Sequence, residues 1–156
     1  MQNKIGLCED SFEKIERQII NLKLNLLNEY FTFNKDKIDF EYLVKLHEFL
    51  FSDLYEKIGL RNLELSETDY IKYMLYSLIN YCYLKDIDSV LNTLKEIWNL
   101  QPFINGNTRT FLALLKILNT AYNLNLNIDF NKEIESKPST FNINNFVNQK
   151  RLTKIK

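Results

Sequence analysis

Apolar residues recur along this chain at spacings of three and four, the period of helices packed through one face. In "EDSFEKIERQIINLKLNLL" the stripe is Phe12, Ile15, Ile19, Leu22 and Leu26, with charges between and Asp10 or Ser11 placed to cap the helix. The polar stretch "FNKDK" makes a connection. A second stripe, Leu43, Leu46, Leu50 and Leu54, runs through "DFEYLVKLHEFLFSDLYEKIG" and stops at Gly59. The segment "LRNLELSETD" is too polar and brief for more than a turn or a strand-like excursion. Ser66 and Asp69 then have the spacing of a capping box opening a third helix through about Leu84.

In "DIDSVLNTLKEIWNL" Val90, Leu94, Ile97 and Trp98 share one side of a fourth helix. Pro102 cannot continue that helix and biases Gln101 away from helical angles. The fifth, "TRTFLALLKILNTAYNL", is apolar almost all round at Phe111, Leu112, Leu114, Leu115 and Leu118, which predicts a central helix enclosed by the others. "KPSTFNINNFVNQK" predicts one more amphipathic helix after Pro138. The expected fold is an all-α bundle, with residues 1–130 as its core and 131–156 as a C-terminal segment carrying that helix and a basic tail.

Composition narrows the class. The chain has 156 residues, enough for one domain with a real core, and 46% hydrophobic with 13% aromatic residues excludes intrinsic disorder. Three glycines and two prolines leave few breaks in the helices. Zero formal net charge supplies no field to draw in nucleic acid or anionic lipid. After Glu135, however, Lys137, Lys150, Arg151, Lys154 and Lys156 are unopposed by any acid. Cys8 and Cys82 have no companion at metal or redox spacing, as expected of reduced thiols. The most apolar run, "YIKYMLYSLINYCYL", is broken by Lys72 and Asn80 and is too short to span a bilayer. With no signal peptide, a cytoplasmic, membrane-free protein is expected.

The candidate chemistry lies in "QPFINGNTRTFLALLKI", where a polar turn meets the fifth helix. The first amides of a helix lack intrahelical partners and sit at the positive end of its dipole, so they attract phosphate. Gly106 lets a ligand approach the backbone, Asn107 can cap the helix or donate to a phosphate, and Arg109 offers a fork of donors. The alternative is a plain helix cap followed by a surface arginine.

The order of these residues resembles the Fic/Doc (Fido) signature HxFx(D/E)GN(G/K)RxxR through Phe103, Gly106, Asn107 and Arg109. Pro102 and Thr110 also agree with common members. Upstream, "NKIGLCEDSFEKIERQI" is similar to the NKLGI-like opening of such proteins. "LVKLHEFLFSDLYEKIGLR" resembles their LHxxLFxDxYxxAGxxR segment through Leu46, His47, Leu50, Phe51, Asp53, Tyr55, Gly59 and Arg61. The resemblance covers roughly residues 3–118. It implies a loop holding ATP with Mg2+, phosphate contacts from Gly106, Asn107, Thr108 and Arg109, and AMP transfer to a protein hydroxyl. Some relatives phosphorylate instead.

This chain departs from that pattern at several points. The catalytic histidine position is Gln101, which has no site that takes a proton near neutral pH. The magnesium-holding acid is Asn105, at best a weak ligand. Thr108 replaces Gly or Lys, and Leu112 replaces the second arginine. No (S/T)xxxE(G/N) inhibitory motif is present in either terminal segment, and any β-hairpin flap must be short or absent. His47, the only histidine, falls at another family position and reads as a packing or supporting residue rather than a substitute base. The expectation is a protein impaired in AMP transfer that retains phosphate or nucleotide binding or a regulatory role toward an unidentified protein partner. The alternatives are an active transferase moving AMP or another phosphate-containing group, and an interaction module with no nucleotide function.

Overall fold

In the computed structural model the described residues are 4, 6–30 and 37–127. They form five helices: α1 (Glu9–Tyr30), α2 (Phe40–Phe51), α3 (Leu65–Leu84), α4 (Ile87–Asn99) and α5 (Asn107–Ala121). An isolated antiparallel bridge joins Leu60 and Phe103. The class is all-α, and the "LRNLELSETD" excursion amounts to that single bridge. The expected last helix and basic tail lie outside the described residues.

α5 is the centre. Phe111 to Leu115, Ile117 and Leu118 are all buried, so its apolar residues meet protein on every side. α2 and α4 pack on it, α3 lies along α4, and α1 covers α2. Beyond α5, Asn119 clasps Leu126, donating Nδ2–H to its carbonyl at 3.1 Å and accepting its amide at 3.0 Å. Leu124 and Leu126 are buried there, so the core runs from Phe12 to Leu126.

Four local expectations are corrected. The buried stripe of α1 is Phe12, Glu16, Ile20, Leu24 and Leu27, whereas Leu22 is 58% exposed. The helix presents a face rotated from the all-apolar one because a carboxylate, Glu16, points inward. α1 also starts earlier than Asp10: the Phe12 amide bonds to the Cys8 carbonyl at 2.9 Å.

α2 ends at Phe51 rather than near Gly59. The Leu54 amide turns back to the Phe51 carbonyl at 2.9 Å, and the Lys4 amide takes the Leu54 carbonyl at 2.9 Å. That turn frees residues 52–61 to reach the α4–α5 loop. α3 is capped two residues before the expected box, by Glu64 and Glu67, with the Glu64 amide donating to Glu67 Oε1 at 3.1 Å. Glu67 wins because Arg61 also holds it, at 2.7 Å.

No helix among the described residues is long and apolar enough to cross a membrane. Cys8 and Cys82 are both free thiols, the first exposed and the second buried.

Candidate functional site

The α4–α5 loop is built from its ends inward. α4 ends at Asn99 with Leu100 as its cap, and Gln101 takes a left-handed φ of 48°, the conformation that commonly ends a helix. Its amide and its Nε2 both donate to the Trp98 carbonyl, at 2.9 and 2.8 Å. Gln101 is therefore exposed at the cavity mouth while its side-chain amide group closes the end of α4.

Next, Asn107 clasps Phe103. Its Oδ1 accepts the Phe103 amide at 2.9 Å and its Nδ2 donates to the Phe103 carbonyl at 3.0 Å. The same loop is strapped to residues 59–61. The Arg61 amide donates to the Pro102 carbonyl at 2.9 Å and the Ile104 amide to the Gly59 carbonyl at 3.0 Å. The Arg61 guanidinium adds bonds to the carbonyls of Leu100 and Gln101 at 2.8 and 2.9 Å, at the negative end of α4. Hydrogen bonding from Arg61 in turn holds the Glu67 carboxyl below the usual carboxylate range.

At the start of α5, Gly106 has φ 72°, and a Cβ there would strike the Phe51 ring. Glycine is required twice over, by conformation and by space. Thr108 Oγ1 accepts the Trp98 indole N–H at 3.0 Å, and Asn105 Nδ2 makes a long contact of 3.4 Å to the Lys57 carbonyl. Arg109 points the other way from a surface arginine. Its Nη1 lies 3.2 Å from Glu16 Oε1, with side-chain exposures of only 4% and 9% for the pair. The Tyr55 hydroxyl donates to Glu16 Oε2 at 2.9 Å. Burial pushes the Arg109 pKa down, Glu16 and Tyr55 oppose it, and an arginine remains charged regardless.

All six candidate residues, Gln101, Asn105, Gly106, Asn107, Thr108 and Arg109, line one cavity of about 600 Å3. Its opposite wall comes from α1 and includes Glu9, Glu13 and Glu16. Leu112, at the position of the second arginine, is buried apolar packing and does not line it. The loop's polar side chains thus bond mainly to the protein itself, which leaves the first backbone amides of α5 as the loop's chief anion-attracting element. The N-cap residue, being glycine, places no side chain over them.

Glu16, Tyr55 and Trp98 join this site without any signal in the turn motif. Glu16 could have been found from its spacing, since it falls midway between Phe12 and Ile20 on a four-residue period. A carboxylate on a core stripe requires a buried partner.

No family model matches the chain, and no curated protein matches it. The donor set does not fit the magnesium ion that the Fic/Doc resemblance implies. Asn105 brings a neutral amide to the loop, and Glu16 is engaged by Arg109 and Tyr55. Among the described residues no three His, Cys, Asp or Glu side chains converge as metal ligands.

Proposed function

We propose that this is a divergent Fic/Doc-like protein, impaired in AMP transfer, that binds a phosphate-bearing ligand in a sensing or regulatory role. The observation that carries the reading is the uncapped N-terminus of α5 at left-handed Gly106, opening on the cavity that gathers every candidate residue. Phosphate meets those amides. The carboxylates of Glu9 and Glu13 across the cavity suit an amino-bearing end of the same ligand, which favours a nucleotide over free phosphate.

Impaired transfer follows from Gln101. General-base catalysis contributes roughly 10²–10⁴-fold, and a glutamine bonded to the Trp98 carbonyl supplies none of it. ATP is the nucleotide the family resemblance suggests, and a need for Mg2+ is not expected from Asn105.

Calorimetric titration with ATP, ADP and AMP, each with and without Mg2+, tests the reading. Thr108→Asp is the control. It keeps an acceptor for Trp98 and favours the helix start, yet sets a negative charge where phosphate would sit. Binding by the native chain that Thr108→Asp removes is the expected result. Silent titrations to millimolar nucleotide, with no thermal stabilisation, would overturn it.

A second reading, an interaction module, has its own observation. Tyr73, Tyr76, Tyr83 and Leu84 are 54–75% exposed on the outer face of α3. That face borders a separate cavity of about 780 Å3 between α3 and the start of α2. Under it, nucleotide is inert, the chain is expected to associate in sedimentation, and serine at Tyr73 and Tyr76 is expected to abolish that association.

A further inference from the structure

His47 is fully buried, yet one face of its chemistry is unused. Its Nδ1 lies 2.9 Å from Thr110 Oγ1, while its Nε2 is buried with no hydrogen-bond partner. The hydroxyl of Thr110 has a single proton and donates it to the Gly106 carbonyl at 2.8 Å. A carbonyl can only accept, so Thr110 must accept from His47. The ring is therefore the Nδ1–H tautomer, with a bare acceptor at Nε2.

The ring is also gripped through its faces. It stacks on Phe103 with centroids 4.0 Å apart and planes 5° from parallel, and lies against Phe51 at 5.0 Å. Phe51, one turn further along α2, is the ring that a Cβ at Gly106 would strike. Both Phe103 and Gly106, four residues of loop, are thus set from α2. A phenylalanine at position 47 would fill the same space without stranding an acceptor. What imidazole adds is the Nδ1 donor.

We propose that His47 is the positioning residue of the loop: through Thr110 it orients the Gly106 carbonyl, and with it the direction in which the first amides of α5 face the cavity. The purpose of that orientation rests on the phosphate reading above; the orientation itself does not. Burial favours the neutral ring, lowering its pKa to about 4.

The test uses the full chain labelled with nitrogen-15. Ring resonances of native His47 should show a protonated Nδ1 and an unprotonated Nε2; the opposite tautomer would overturn the proposal. His47→Phe keeps the stacking and deletes the donor, whereas His47→Asn presents an amide N–H near the former Nδ1. In folded His47→Phe, exchange of the Thr110 amide, which bonds to the Gly106 carbonyl at 3.0 Å, should quicken about tenfold, the scale of one lost hydrogen bond. The indole resonance of Trp98, which is tied to Thr108, should move with it. His47→Asn should keep both loop signals near native. ATP affinity should fall about tenfold in His47→Phe. Unchanged loop exchange and an unmoved Trp98 signal in His47→Phe would overturn the proposal. If native chain binds no ATP, the phosphate reading fails while the loop signals still decide this one. If His47→Phe does not fold, the tautomer of the native ring decides it alone.

Discussion

α3 and α5 are both rich in apolar residues, and they end in opposite places. α5 carries leucine, isoleucine and phenylalanine on all sides and is buried on all sides. α3 buries only Ile71, Leu75, Leu78 and Cys82, and turns Tyr73, Tyr76 and Tyr83 to solvent. The difference lies in the tyrosines, whose hydroxyls can remain in water while their rings are half covered. Apolar content alone does not place a helix in the core. The polar groups at each helix decide: α3 shows its hydroxyls to solvent, while α5 takes Arg109 and Thr110 inside with partners brought from α1 and α2.

The largest effect expected from breaking this contrast is at the α1–α5 ion pair. Glu16→Ala leaves Arg109 charged and buried, and should cost about 3–5 kcal/mol in thermal or urea unfolding. Arg109→Ala should cost a similar amount, so it is a poor probe of ligand binding. The double change to Glu16→Leu with Arg109→Met should be milder than either single one, which a mutant cycle would show. Next comes Leu114→Ala at the centre of α5, with an expected loss of about 2–5 kcal/mol.

A pH effect of about 3 kcal/mol is expected from His47. Burial lowers its pKa from the ordinary 6.5 to about 4. The unfolded chain therefore takes up a proton first as the pH falls. The stability conferred by neutral His47 is full above pH 6.5, declines between there and about 4, and is gone below. Unfolding measured across this window should show the slope, and His47→Phe should flatten it. Gly106→Ala should cost about 1–3 kcal/mol through its left-handed backbone and the Phe51 ring. The smallest effect belongs to α3: Tyr76→Ser should change stability by no more than about 0.5 kcal/mol. A large loss there would mean that its exposed face is covered in the folded protein.

How much of this was legible before the structure depended on sequence distance. α5 could be read because apolarity on every side has one outcome, and α4 because Val90, Leu94 and Ile97 hold a clean period. The turn with Gly106 was legible as a helix start, and its six candidate residues do share one cavity. Their partners were not legible. Arg109 meets Glu16 from 93 positions away, and Thr110 meets His47 from 63. The α1 stripe was misread for the same reason, since a glutamate on a core face looks wrong until its arginine is known. Asn107, read as a cap or phosphate donor, instead closes the loop on Phe103 within its own turn. No feature of the motif alone distinguishes those roles.

The most direct measurement is an amide-resolved NMR titration of the native chain with ATP in the absence of Mg2+. Binding through the backbone predicts that the amides of Gly106, Asn107, Thr108 and Arg109 shift together, while the Arg109 side-chain N–H stays where Glu16 holds it. An Arg109 side chain that moves with the phosphate while those amides stay still would contradict it, as would a spectrum that ATP leaves unchanged.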